Sequence, residues 1–356
     1  MRQRTRAERV VGGLSVVSAE RRAGILSLPV TAVTHATLLS ELPFAHAAEA
    51  APPPVPAAAP GGSVRVVAWN AERCPSVEAA ATLLARTSAD AWLLSEMDWG
   101  MARSAQRHAT RELAAALGCG YVFAVEFLEL GLGNEAERAR HAGEANAVGY
   151  HGGAIVSPHP LRDPALVRLG GDGDWFDGER GERRVGGRIA VLAKLRVAGA
   201  ELALASVHLE SHADPSFRAE QMGNLLAALD DYAPGAPALV GGDVNSHSLG
   251  RRHFRDREWL RRALEEDPER LADPVRHEPL FAVAERAGFD WRRCNAAGST
   301  ERRRDPPPSA RGTLKLDWFF ARGLAASDPA LIPAVDAAGA ALSDHEAITV
   351  TVMPRG

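Results

Sequence analysis

The chain reads as an α/β protein of the α+β kind, with mainly antiparallel sheets and helices on the outside. Short apolar runs of strand length mix irregularly with segments of helical periodicity. Two of these runs, RIAVLAKLRVAG and ELALASVHL, are separated only by Gly199-Ala200, as in a hairpin. There is no internal repeat, and a single large domain is favoured.

The elements follow in order. VRVVAW (64–69) is a short β-run, and residues 75–87 have apolar positions at helical spacing. AWLLSE (91–96) is a buried strand ending in a carboxylate. A helix over 104–117 stops at Gly118, a usual terminator. YVFAVEF (121–127) is a strand, followed by a Gly-, Glu- and Arg-rich loop over 129–150 and then GGAIVS (152–157). After the hairpin, a helix over 216–229 leads to APALVGGDVNS, an apolar strand that ends on glycines, Asp243 and Asn245. The Arg-rich stretch 251–262 reads as an exposed helix. KLDWFFAR (315–322) and HEAITVTVM (345–353) supply the last strands.

Composition bounds the function. The 356 residues carry 41 Lys+Arg against 45 Asp+Glu, a net charge of −4, with 46% hydrophobic and 24% charged residues. That is enough apolar material for a core, so wholesale disorder is excluded. No stretch approaches the ~18 uninterrupted apolar residues of a membrane span, and stable membrane insertion is not expected. The basic residues are arginines except Lys194 and Lys315, a pattern of GC-biased coding. No basic stripe follows, so a nucleic-acid partner would be gripped locally. Nothing points to an obligate protein partner. Cys74, Cys119 and Cys294 form no CxxC, which argues against a thiolate zinc site. In an exported protein two of them could pair, and spacing does not choose which.

The first sixty residues differ from the rest. Arg2, Arg4, Arg6, Arg9, Arg21 and Arg22 lead into a mostly apolar run from Ala23 to Leu39, and Ala45-His46-Ala47 offers a small-x-small cleavage site. Residues 1–47 read as a signal or targeting segment, with Arg21-Arg22 suiting a twin-arginine signal. Residues 48–63 read as a Pro/Ala linker, and 64–356 as one domain beginning near Val64. The expected location is exported, periplasmic or secreted. The alternative is a disordered extension on a cytoplasmic protein.

The chemistry-bearing residues stand at strand ends: Asn70 and Glu72, Glu96, His208, Asp243 and Asn245, Asp317, and Asp344-His345. A lone Asp there is usually a turn former, and a lone His is usually structural. Together, WNAE, LLSE, GGAIVS, SVHLES, GGDVNS, KLDWFF and LSDHE resemble, in that order, the endonuclease/exonuclease/phosphatase superfamily. The superfamily includes deoxyribonuclease I, exonuclease III-like repair nucleases, sphingomyelinases and inositol polyphosphate 5-phosphatases. The resemblance runs from about Val64 to Val352 and departs at Ser95, where many relatives have Gln, and at Gly153, where Asn is common.

The resemblance implies a four-layer α/β/β/α sandwich and hydrolysis of a phosphate ester by an activated water. Glu96 would be the principal ligand of Mg²⁺ or Mn²⁺, with Glu72, Asp344 and Asn70 beside it. Asp243 would position and deprotonate the water. Asn245 and His345 would bind the phosphoryl group, Asp317 would hold the His345 imidazole, and His208 would stabilise the leaving oxygen. The general base stays open between Asp243 and His345. A nuclease-type phosphodiesterase is favoured over a phosphatase or a phospholipase-type enzyme on lipid or small phosphorylated substrates, and a non-catalytic binding module is the rival class. The Trp69, Trp92 and Trp318 rings are expected in the core, with Trp99 or Trp175 at a cleft. His151, His212 and His247 are expected in solvated loops, Arg218 and Gln221 as packing residues, and the arginines of 251–262 and 302–304 on a solvated face.

Overall fold

A computed structural model of the chain describes residues 6–7, 9–171, 173–179, 181–250, 253, 256–271, 273–302 and 314–355. The strands are β1 (Arg6–Ala7), β2 (Arg9–Val11), β3 (Ala47–Ala51), β4 (Val64–Arg73), β5 (Ala91–Trp99), β6 (Gly120–Glu129), β7 (Tyr150–Ser157), β8 (Arg162–Arg168), β9 (Arg184–Gly186), β10 (Ile189–Val197), β11 (Ala200–His208), β12 (Ala238–Asp243), β13 (Asp317–Arg322), β14 (Leu324–Ile332) and β15 (Ala347–Pro354). The helices are α1 (Ala19–Leu26), α2 (Ala32–Glu41), α3 (Val77–Ala85), α4 (Ala109–Leu117), α5 (Glu135–Arg140), α6 (Pro215–Tyr232), α7 (Arg257–Glu266) and α8 (Leu280–Arg286). None of the described helices is long and apolar enough to cross a membrane.

One sheet runs β1-β8-β10-β11-β12-β13. The other runs β14-β15-β4-β5-β7-β6-β3-β2, with β9 on β6. Pairing is antiparallel except for β2–β3, β4–β5 and β11–β12. The last two of these parallel pairs are each joined through a helix, α3 or α6, because a parallel neighbour needs a crossover. The β10–β11 hairpin closes on Ala198 and Gly199, whose φ values of 49° and 86° suit a tight turn twisted with its strands.

Alternation along the strands builds the layers. Val66 and Ala68 of β4 join Leu93, Val122, Ile155, Val191, Leu204 and Phe319 in the core between the sheets. Val67 and Trp69 point the other way, under α3 and α4 with Leu84 and Leu113. Leu192, Ala205 and Val240 pack under α6 and α8 with Met222, Leu225 and Phe281. The layers are therefore helix, sheet, sheet, helix, as the resemblance implies.

In the structure the N-terminal residues pack on the rest of the chain. Residues 9–51 are built into the domain: β3 pairs with β6, placing Glu49 opposite Phe123 and Ala51 opposite Tyr121. Ile25, Leu38, Phe44 and Ala48 are fully buried. The folded unit thus begins well before Val64, and Arg2 and Arg4 lie outside the described residues. The physical reason is that the edge of β6 and the apolar face beside α4 require a cover, which the moderately apolar run 23–48 supplies. Residues 52–63 form no strand or helix, and Ala57 and Pro60 hydrogen-bond to Pro158 and Ala198 of the domain. The three cysteines are buried and unpaired, so no disulfide forms.

Glu49 ties this segment down. Its Oε1 accepts from Tyr121 Oη at 2.6 Å and Arg111 Nη2 at 2.8 Å and meets His108 Nε2 at 3.0 Å, while Oε2 accepts from the Leu14 N–H at 2.9 Å. Burial pushes its pKa up, but these hydrogen bonds outweigh it and hold the carboxyl at about 2. A depressed folded pKa gives stability that is complete above the ordinary carboxylate range and is lost as pH falls toward that value. Glu49→Gln is therefore expected to lower Tm at neutral pH and to flatten the decline of Tm between about pH 5 and pH 2. An unchanged acid limb in thermal denaturation would contradict this role.

Candidate active site

The site grows out of the inter-sheet core. Positions 66 and 68 of β4 are core, so Asn70 is the next residue on that face. By the same count Leu202 and Leu204 lead to His208, Leu239 leads to Asp243, and Phe319 precedes back to Asp317. Register then aligns them, with His208 opposite Asp243 and Asp243 opposite Asp317. Gly242, at φ 143°, permits this closeness, since a Cβ there would lie 2.1 Å from the Val207 carbonyl oxygen. The parallel pairs β4–β5 and β11–β12 aim their C-terminal ends at one cleft, the usual place for a ligand in such sheets.

Glu96 has the wrong parity for that face, and a bulge corrects it. The β5–β7 register shifts between Leu94 and Met97, and the β4–β5 register shifts between Asn70 and Arg73. Glu72, Arg73, Cys74, Glu96 and Asn245 all have left-handed φ values, from 41° to 71°. For non-glycine residues this costs about 1–2 kcal/mol each, and such strain clusters at functional sites.

The side chains converge. Asn70 Nδ2 donates to Glu96 Oε1 at 3.2 Å and to Asp243 Oδ2 at 3.1 Å, joining carboxylates from the two sheets. Asp243 Oδ1 accepts from the Asn245 N–H at 2.9 Å, and Asn245 Nδ2 donates to the Leu209 carbonyl. His345 Nδ1 lies 2.8 Å from Asp317 Oδ2, and its Nε2 stands 3.7 Å from Asp243 Oδ2. His208 Nε2 stands 3.6 Å from that oxygen on the other side. The Glu72 carboxylate accepts the Asp344 N–H at 2.9 Å, so it props the Ser343–His345 turn from below. Ser343 Oγ donates to the Asn70 carbonyl and accepts the His345 N–H.

Electrostatics separates the acids. At Glu96 burial raises the pKa, but Arg73, His151, His208 and the Asn70 hydrogen bond hold it well below the usual range. At Asp243 burial prevails against His345 and, aided by Asp317, leaves the carboxyl above its usual range. Asp344 is raised by burial against the pull of His345. Burial disfavours charge on His345, yet Asp317 and Asp243 hold its pKa well above the ordinary imidazole value. His208 is also raised, with Glu126 and Asp243 outweighing burial and Arg188.

Several of these groups are absent from the sequence reading. Glu126 lies 3.4 Å from His208 Nδ1 and pairs with the buried Arg188, which also bonds Glu210. A detectable signal existed: in YVFAVEF it has the parity of Val122 and Ala124, a charge where the core pattern demands an apolar residue. Arg73 bridges Glu96 and Glu137, and Asp98, Arg103 and Glu129 form a buried ion-pair group beside His151.

Other expectations fare unevenly. Trp69, Trp92 and Trp318 are buried in the core. Trp175 is buried with Nε1 on Glu210, and Trp99 stacks on His108. His151 and His247 are buried, not solvated: His151 Nδ1 meets Asp98 at 2.8 Å, and burial with Arg218 nearby pushes His247 down to about 3. His151 lies on β7 beside Asp98, and His247 lies beside Arg218, so both positions are enclosed where the sequence reads as open loop. His212 is half-buried. Arg218 and Gln221 are fully buried, Arg218 on Glu278 and Gln221 on Glu210 and Gly170. Of the arginine stretches, Arg261 and Arg262 pair with Glu265 and Glu258 on exposed α7, whereas Arg251, Arg252, Arg255, Arg303 and Arg304 lie outside the described residues.

Two donor sets could hold a cation. Asp243, Asp317 and His345 offer ligand atoms within 4.8 Å of one another. There His345 Nδ1 and Asp317 are already joined, which makes them an oriented imidazole–carboxylate couple. At Glu96 each carboxylate oxygen takes one hydrogen bond among the described residues, which leaves it further acceptor capacity. Asn70, Glu72 and Asp344 complete an oxygen-rich, acidic surround of the kind a hard divalent cation takes. Burial of Asp243 and Asp344 with raised pKa values fits a site that positive charge relieves.

Comparison with known proteins identifies the family. The sequence model of the Endonuclease/Exonuclease/phosphatase family matches residues 67–345, and the chain belongs to that family. The family's members are hydrolases acting on phosphoester bonds. Among solved structures, the chain is similar to an endonuclease/exonuclease/phosphatase from Beutenbergia cavernae, with 16% identity, TM-score 0.55, and coverage of 83% of this chain and 72% of that one. It is also similar to one from Bacteroides vulgatus (16% identity, TM-score 0.51, 82% and 99% covered). A family protein from Leptotrichia buccalis is comparable (14%, TM-score 0.52, 81% and 99%). No curated protein sequence matches.

Proposed function

We propose that the chain is a divalent-metal-dependent phosphodiesterase that uses water as its nucleophile, with nucleic acid as the favoured substrate class. The supporting observation is Asp243, a buried carboxylate at the meeting point of both sheets, bonded to Asn70 and flanked by His345 and His208 at 3.7 and 3.6 Å.

Glu96, with Asn70, Glu72 and Asp344 around it, would hold the cation, which when bound would neutralise charge at the phosphoryl oxygens. Asp243, whose pKa is raised toward a useful base, accepts the proton of the attacking water. Its geometry favours it over His345, whose Nδ1 is held by Asp317 and whose high pKa keeps Nε2 protonated as a donor. His345 hydrogen-bonds a phosphoryl oxygen, and the bond tightens as charge builds. His208, supported by Glu126, donates toward the leaving oxygen. Asn245 keeps one amide hydrogen beyond its bond to Leu209 and offers it to the phosphoryl group.

Nicking of supercoiled plasmid by the full chain in Mg²⁺, with and without EDTA, tests the reading. Metal-dependent nicking that disappears with EDTA is expected. Folded protein that cleaves bis(p-nitrophenyl) phosphate but never nicks plasmid would replace nucleic acid by a small or lipid phosphoester.

A further inference from the structure

Arg73 has no part in the motifs that define the family, yet it stands inside the site. Its Nη1 donates to Glu96 Oε2 at 3.0 Å, and its Nε lies 2.6 Å from Glu137 Oε1. Nη2 has no acceptor among the described residues, and the side chain is 24% exposed.

The backbone beneath it is bent against preference. Glu72, Arg73 and Cys74 have φ values of 41°, 71° and 50°, and the Cys74 N–H closes on the Ala71 carbonyl at 2.9 Å. This is a left-handed turn without glycine, formed where β4 enters the cleft. It brings the guanidinium beside Glu96. Glu137 holds the far side from α5, where it closes a capping box with Asn134. Arg103 in turn reaches Glu137 at 3.5 Å and pairs with Asp98 and Glu129. The loop between β6 and β7 is thus fastened to the site through Arg73.

We propose that Arg73 is a substrate-positioning residue that presents Nη2 to a non-bridging oxygen of the phosphate group bound beside Glu96. The inference deepens the phosphoesterase reading and rests on it. A guanidinium is always charged, is planar and offers donors in a fork that matches phosphate oxygens. Two carboxylates already fix its plane, so little freedom remains to be lost when the ligand arrives.

Inorganic phosphate is the probe. Its binding is measured by calorimetry and by competition in the hydrolysis assay, and Mn²⁺ binding to the same samples is followed by electron paramagnetic resonance. Arg73→Gln is expected to weaken phosphate binding about tenfold or more. Arg73→Lys, which keeps the charge and guards against misfolding, is expected to weaken it about threefold. Both variants should retain Mn²⁺ binding. Equal phosphate affinity in wild type and Arg73→Gln overturns the proposal, as does wild-type protein that binds no phosphate. Loss of Mn²⁺ together with phosphate in Arg73→Gln also overturns it, because Arg73 would then merely hold Glu96. Phosphate binding that depends on Arg73 in a protein that binds no Mn²⁺ leaves the assignment standing and rejects the metal reading instead.

Discussion

Asp243→Asn is expected to lower kcat for phosphodiester hydrolysis by about 10³-fold, within the range assigned to a positioned general base, while KM moves little. The substitution keeps shape but only one of the two oxygens that accept from Asn70 and from the Asn245 N–H, so an unchanged Tm and KM are what assign the loss to proton transfer and not to collapse of the site. The pH profile sharpens the test. Burial raises Asp243, so activity should rise through a pKa above that of an ordinary aspartate as the carboxylate forms. Asp317 and Asp243 raise His345, so activity should fall only where that imidazolium deprotonates, well above the usual histidine range. His345→Ala should remove the alkaline limb as well as most of kcat. A variant with unchanged acid limb and near wild-type kcat would exclude Asp243 as the base.

Removal of residues 1–61 is expected to prevent folding. Ile25, Leu38, Leu42 and Phe44 are all 5% exposed or less, and each contributes about 1.5–3 kcal/mol by burial. Their sum, roughly 6–12 kcal/mol, is comparable with the whole stability of a typical domain. The truncation also exposes the β6 edge and leaves His108, Arg111 and Tyr121 without Glu49. Circular dichroism and solubility of the truncated chain would check this. A folded, cooperative truncation would contradict the packing described for 9–51.

Much of the candidate site was legible because its residues continue a simple pattern. Asn70, His208, Asp243 and Asp317 occupy core parity at strand ends, where alternation predicts an apolar residue and a polar one stands instead. Glu96 follows from its motif, but its inward direction depends on a bulge that pattern does not announce. Glu126 carried the same parity signal as Asn70 and was hidden by the apolar run around it. Arg73 was not legible: its position depends on a left-handed turn of ordinary residues. The packing of the N-terminal segment was not legible, for a different reason. Its composition resembles a leader, whereas its burial is decided by the uncovered edge of β6, a partner seventy residues away.

The plasmid-nicking assay with a Glu96→Gln arm tests the central claim most directly. The account predicts nicking by wild type in Mg²⁺, none in EDTA, and none by folded Glu96→Gln at any Mg²⁺ concentration. Nicking that resists EDTA, or that survives in Glu96→Gln, would contradict the assignment of Glu96 as the carboxylate that holds the cation.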